Sequence, residues 1–304
     1  MQLFKNTKIN FLRYGKLVTG LSVGFILVSL VVLVARGGFN MSIDFRGGTT
    51  VLMKFEQPVR DELPTIRNSI GSLGFGQPEI KTIGLADNNQ IQITVRNTQQ
   101  DGVSITDALQ TALKDDLPGN GFTVLSVDEV GPKIGGELRR DAFITAILAL
   151  LSILIYIGFR FNLPFAIAAT IPLTHDALIV LGIFALFDIE LSLPFIAAIL
   201  TVIGYSLNST IVVFDRIREN AKGGLKGKDF TEIVNHSLNQ TLTRTVITTV
   251  TTLFTVAAVY LLGSDSIKNF SLALLIGFTA GGYSTLFISS YILVAWNKKQ
   301  PIYK

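Results

Sequence analysis

The sequence predicts an α-helical membrane protein with six transmembrane helices and one small α+β domain between helices 1 and 2. Three observations carry this. Of 304 residues, 49% are hydrophobic and only 16% charged, where ordinary soluble domains carry about 25% charge. Six apolar runs approach the length needed to cross a bilayer, and a long polar stretch, residues 36–141, separates the first from the rest. Thirteen Lys and Arg residues fall on one side of the runs, while the short loops on the other side hold Lys268 alone. By the positive-inside rule both termini face the cytoplasm and residues 36–141 lie outside.

Residues 1–16 form a basic cytoplasmic N-terminus with Lys5, Lys8, Arg13 and Lys16. Leu17 to Ala35 follows without a charge, and at about 1.5 Å per residue it covers roughly the 30 Å hydrocarbon core. A signal peptide competes with an uncleaved anchor here. Signal h-regions are shorter, about 7–15 residues, and no clean small-x-small cleavage site follows, which favours the anchor.

In the external domain, Thr49–Phe55 alternates like a strand, and Val59–Leu73 has helical spacing through Leu63, Ile66 and Ile70. Pro78–Ile83 and Gln90–Val95 read as strands across a turn at Asp87-Asn88-Asn89. Thr106–Leu117 is a helix and Phe122–Val130 a last strand. The order β-α-β-β-α-β matches the ferredoxin-like split motif. Eleven basic and fourteen acidic residues leave this loop slightly acidic, so no nucleic-acid footprint is expected.

Residues 142–296 form a five-helix transmembrane domain, with runs at about 142–159, 163–187, 193–214, 245–262 and 270–296 and a cytoplasmic loop at 215–243. Residues 297–304 are a cytoplasmic C-terminus. Within the loop, Phe230, Ile233, Val234, Leu238 and Leu242 suggest a short amphipathic helix along the membrane surface. Gly47-Gly48, Gly131-Pro132 and Gly135-Gly136 mark turns where the chain leaves and re-enters the membrane.

The chain has no Cys and two His. Disulfides, thiolate metal sites and Cys nucleophiles are therefore absent, and neither a metal centre nor another cofactor is expected. No nucleophile–base set appears either, so an enzyme fits worst.

Polar groups inside spans are the functional candidates. His175 and Asp176 sit mid-span, about 100° apart on their helix. They suit either a structural hydrogen-bonded pair or an ion pathway. Thr201, Tyr205, Asn208 and Ser209 share one face of the fourth span. Arg244, Thr248, Thr251 and Thr255 form a stripe on the fifth, pointing at protein or water rather than lipid. Asp215-Arg216 closes the fourth span as a charged helix end.

Motifs spread over the whole chain resemble the SecD/SecF family of protein-export membrane proteins. Ile43-Asp44-Phe45-Arg46-Gly47-Gly48-Thr49 looks like the family hallmark, and Val130-Gly131-Pro132-Lys133-Ile134-Gly135-Gly136 like its motif before the second span. His175-Asp176, Gly204-Tyr205-Ser206-Leu207-Asn208, Asp215-Arg216-Ile217-Arg218-Glu219-Asn220 and Asn239-Gln240-Thr241-Leu242-Thr243-Arg244 are similar to its SecF branch. The resemblance implies a bacterial inner-membrane protein of the resistance-nodulation-division superfamily. It implies pairing with SecD, association with the SecYEG channel, and use of the proton motive force after SecA's ATP-driven step. The emerging unfolded polypeptide and membrane lipid would be its other contacts. It also implies a proton-coupling face on which the family's intramembrane Asp acts with the Arg matched by Arg244. Here Ser209 stands where the family usually has that Asp, and a hydroxyl does not titrate in the working range. SecD supplying the only carboxylate, Asp176 taking over, and weakened coupling all remain open. Competing functions are half of a small-molecule or lipid exporter, and a scaffold for SecD that transduces nothing.

Overall fold

Asn10 starts the first helix, α1 (Phe11–Ala35), by accepting a hydrogen bond from the Arg13 N–H at 3.2 Å. This satisfies one of the donors that a helix leaves free at its N-terminus. The structure, a computed structural model, describes residues 7–75, 78–83, 89–95, 104–223, 225 and 227–302. Lys5, Lys226 and Lys304 of the charge count, and Asp87-Asn88 of the expected turn, lie outside them. The chain divides into two units, Met41–Phe143 and Met1–Asn40 with Ile144–Lys304.

The smaller unit opens with a helical turn, α2 (Ile43–Arg46), whose Asp44 N–H is capped by Ser42 Oγ at 3.2 Å. Then come β1 (Gly48–Phe55), α3 (Leu63–Ser72), β2 (Glu79–Ile83), β3 (Gln90–Val95), α4 (Ile105–Asp116) and β4 (Phe122–Val130), in the expected order. The strands make one antiparallel sheet, β2-β3-β1-β4, with Val51 opposite Ile93 and Val127. Strand alternation sends Val51, Met53, Ile91 and Ile93 to one face, where Ile66 and Ile70 of α3 and Leu109 and Leu113 of α4 bury them completely.

Two motifs expected to be separate turns form one junction instead. Gly47 has φ +77°, and a Cβ there would lie 2.8 Å from Pro132 Cα. A Cβ on Gly135 would lie 2.9 Å from Gly47 N. Pro132 begins the helix α5 (Pro132–Arg160), so Gly135 and Gly136 are helical residues, not a turn. Proline suits a first helical position because its missing N–H is free there anyway. Gly135 instead lets the second motif's helix approach the first motif's backbone.

The larger unit adds α6 (Leu163–Leu186), α7 (Leu193–Lys222), α8 (Phe230–Leu262), α9 (Lys268–Tyr283), a π-helical turn (Ser284–Ser289) and α10 (Ser290–Lys299). With α9, the π turn and α10 as one span, six helices are long and apolar enough to cross a membrane. They pack α7 against α8 and α9, α6 against α7 and α9, and α1 against α6. Gly277 and Gly281 of α9, four residues apart, bring α7 close. A Cβ on Gly277 would overlap the Val202 methyls, and one on Gly281 would reach Ser206 Cβ at 3.1 Å. Small residues at this spacing are how membrane helices meet. On the outside, α5 exposes Leu148, Leu151, Ile155 and Phe159, as expected of helices that meet lipid rather than water.

The surface helix expected before the fifth span is not a separate element. Its apolar residues Phe230, Val234, Leu238 and Leu242 lie in α8, which runs unbroken to Leu262 and packs them with Phe214 and Ile217 of α7. Nothing between residues 230 and 262 breaks a helix, because the segment holds neither Gly nor Pro. At 33 residues, α8 is about 50 Å long, longer than a bilayer core.

Candidate functional site

Asp176 is the only Asp or Glu inside the six apolar runs. It is fully buried, and His175 is 8% exposed. Adjacent on α6, they nevertheless bond each other, Nδ1 to Oδ1 at 2.9 Å. Their outer atoms then diverge to different helices. Oδ2 of Asp176 accepts hydrogen bonds from Ser206 Oγ of α7 at 2.6 Å and Ser284 Oγ of the π turn at 2.9 Å. Nε2 of His175 meets the Tyr283 hydroxyl of α9 at 3.3 Å, and that hydroxyl meets Ser22 Oγ of α1 at 3.2 Å. A carboxylate away from water needs such partners. One buried network thus ties α1, α6, α7 and α9 together.

The other candidate residues gather elsewhere, on the exposed sides of α7 and α8. Thr201, Gly204 and Asn208 are exposed, as are Arg244, Thr248, Thr251 and Thr255. Asn208 lies two residues from Ser206, about 200° around the helix, so this face is turned away from Asp176. Among the described residues, the Arg244 guanidinium and the Asn208 amide make no hydrogen bond. A Cβ on Gly204 would meet nothing within 4 Å. Ser209 is half-buried and its hydroxyl bonds only the Tyr205 carbonyl, at 3.4 Å. The Thr stripe is less polar than its sequence suggests. Thr248 Oγ1 donates to the Arg244 carbonyl at 2.8 Å, Thr251 to Ile247 at 2.8 Å and Thr255 to Thr251 at 3.1 Å. Threonine satisfies itself on its own helix in this way, so Arg244 and Asn208 are the polar groups left to be met.

A third cluster holds the end of α7 to the start of α8. Arg216 Nε donates to Gln240 Oε1 at 2.6 Å, and Asn220 Nδ2 donates to Gln240 Oε1 and Ser237 Oγ, each at 2.8 Å. Asp215 pairs with Arg160 at 3.4 Å. Asn235 and Asn239 grip the N-terminal segment. Asn239 accepts from the Ile9 N–H and donates to its carbonyl, both at 2.9 Å, and Asn235 accepts from the Phe11 N–H at 2.9 Å. Asp229, which caps α8, is held below the usual carboxylate range by hydrogen bonding from Thr231.

The family described as "Protein export membrane protein SecD/SecF, C-terminal" matches residues 110–299, and the "SecD/SecF GG Motif" family matches residues 32–59. The chain belongs to the SecD/SecF family. Among SecF relatives, the protein translocase subunit of Desulfurispirillum indicum is 38% identical over 296 residues, which is 96% of this chain and 92% of that one. That of Thermodesulfovibrio yellowstonii is 37% identical, with 99% of each chain covered. The crystal structure of SecDF from Thermus thermophilus, titled a translocon-associated membrane protein, superposes with a TM-score of 0.85 at 35% identity. It covers 98% of this chain, which spans only 40% of that longer one. This SecF-type chain is therefore a multi-pass membrane protein and a transport component.

Within this SecF frame, the Gly-Gly motif at Gly47-Gly48 and the motif at Gly131-Pro132 meet at the junction described above, with Asp44 and Arg46 on the helical turn leading into it. Sequence reasoning placed His175, Asp176, Arg244, Asn208, Ser209 and Thr248 on one coupling face, but the structure separates the first two from the rest. It also missed Ser22, Ser206, Tyr283 and Ser284. The Gly277–Gly281 spacing was the one sequence signal for the close approach that brings Ser206 and Ser284 to Asp176.

Proposed function

We propose that this chain is the SecF-type subunit of a protein translocase. It works with a SecD-like partner and uses an ion gradient to help complete export of unfolded polypeptide across the inner membrane. The observation that carries the reading is Arg244, exposed in the single chain beside Thr248 and without a side-chain partner among the described residues. An isolated Arg inside a bilayer costs about 2.5–3.5 kcal/mol on insertion scales, and its charge is permanent. A second set of helices bringing a carboxylate to Arg244, Asn208 and the open side of Gly204 relieves that cost. The longer Thermus chain, of which this one matches 40%, supports a missing half. The ferredoxin-like reading of residues 36–141 is supported by the strand order β2-β3-β1-β4, and the Lys/Arg bias favours a periplasmic position for it with cytoplasmic termini. SecYEG and SecA enter as partners of the same export step.

Ser209 favours a second reading, a scaffold for SecD that couples to no gradient. Copurification from native membranes tests the partnership: a SecD-like protein should come with the chain. A lone monomer that restores export in cells lacking both proteins overturns it. Dependence of that export on the proton gradient separates the motor from the scaffold.

A further inference from the structure

We propose that His175 and Asp176 form a proton-binding site inside this chain, loaded through Tyr283 and Ser22 and separate from the partner face that carries Arg244. This rests on the reading of the chain as a gradient-driven subunit, and deepens it by naming where its own proton sits.

Four observations carry it. Asp176 is the one carboxylate within the apolar runs, so a proton carried on a carboxylate inside the membrane part of this chain has no other place. The pair is continuous with a row of exchangeable groups, with Asp176 Oδ1 to His175 Nδ1 at 2.9 Å, His175 Nε2 to Tyr283 OH at 3.3 Å, and Tyr283 OH to Ser22 Oγ at 3.2 Å. Ser22 and Tyr283 are the hydroxyls lining a groove of about 350 Å³ between α1, α6 and α9, whose other walls are Val18, Leu21, Phe25, Ile179 and Ile183. Lastly, α9 leaves α-helical geometry at this point, because the π turn begins at Ser284, one residue after Tyr283. Local π turns inside membrane helices recur at functional sites. This one sends two consecutive residues, Tyr283 and Ser284, to the two consecutive residues His175 and Asp176.

The proton balance closes without another reactant. A hydrated proton at the groove gives its hydrogen to the Tyr283 oxygen as Tyr283 passes its own to His175 Nε2. His175 releases the hydrogen on Nδ1 to Asp176 Oδ1. One O–H bond is gained at Asp176, the imidazole exchanges tautomer, and the phenol is regenerated. Ser206 and Ser284 keep donating to Oδ2 throughout, so the site changes charge without losing its anchors. Two titratable groups face the pair, His175 from α6 itself and Tyr283 from α9. The neighbouring α1 and α7 offer the hydroxyls of Ser22 and Ser206. No charged side chain among the described residues hydrogen-bonds the pair from these helices.

Infrared difference spectra of the purified full chain in lipid, recorded between about pH 4 and pH 9, test the site without requiring export. The expected result is a carboxylic-acid C=O band that grows on acidification, shifts in heavy water and is missing from Asp176→Asn. Tyr283→Phe should keep the band but slow its rise after a pH jump by about a hundredfold, the contribution of one positioned proton donor. A purely structural role for Tyr283 leaves that rate unchanged. The site is overturned if no band distinguishes Asp176→Asn from the unsubstituted chain. The relay is overturned if Tyr283→Phe responds at the original rate. Should Asp176→Asn fail to fold, the kinetics of Tyr283→Phe and Ser22→Ala decide alone. A titrating band with export indifferent to the gradient contradicts the motor reading and leaves the site standing. Gradient-driven export without the band does the reverse.

Discussion

Ser206 of α7 donates a 2.6 Å hydrogen bond to Asp176 of α6, thirty residues earlier in the chain. A hydrogen bond to a charged acceptor contributes about 1.5–3 kcal/mol, and Ser206 is nearly inaccessible, so water does not replace it. Ser206→Ala should lower the stability of the purified chain by that amount, read from its unfolding midpoint in mixed detergent. Ser206→Thr should retain part of it. No change in Ser206→Ala means that the hydroxyl is not holding the carboxylate.

The approach of α7 to α9 depends on Gly277. Gly277→Ala places a methyl where Val202 already packs, and overpacking of this kind costs about 1–3 kcal/mol. Val202→Ala in the same chain should return most of the loss. Failure of the second substitution to rescue the first locates the damage elsewhere.

At the junction of the two glycine motifs, Gly47→Ala meets both a positive φ and the Pro132 backbone. Strain of this type costs about 1–3 kcal/mol. Greater protease sensitivity of residues 41–143 than in Gly136→Ala, whose Cβ meets nothing within 4 Å, is the expected result.

Asn235 and Asn239 bracket the backbone of Ile9 and Phe11. Substituting both with Ala should free the N-terminal segment, seen as faster tryptic cleavage at Lys8 and Arg13. Unchanged cleavage would mean that the Phe11–Phe287 contact, with centroids 5.5 Å apart, holds the segment without them.

Periodicity made most of the scaffold legible. The strands Gln90–Val95 and Phe122–Val130 and the spans fall where alternation and apolar length put them, because one-sided burial imposes those periods. Two misreadings share a cause, which is that local signals are silent about continuation. Residues 230–242 are amphipathic and 245–262 apolar, yet no breaker separates them, so they make one helix. Gly135 and Gly136 read as a turn, whereas Gly135 serves a close contact with Gly47, distant in sequence. The buried site was legible only in its charged members. A single Ser in an apolar helix looks like packing, and only the fold brings Ser22, Ser206 and Ser284 to one His–Asp pair. The Thr stripe misled in the other direction, since its hydroxyls are satisfied by their own helix.

Proton-gradient-dependent export, in vesicles carrying the chain together with its partner, tests the central claim most directly. Arg244→Ala should abolish the gradient-dependent part while the two proteins still copurify, because the guanidinium serves coupling and the remaining interface holds the complex. Ser209→Ala should be nearly silent, since its hydroxyl bonds only the Tyr205 carbonyl at 3.4 Å. Loss of export in Ser209→Ala with full activity in Arg244→Ala would contradict the account.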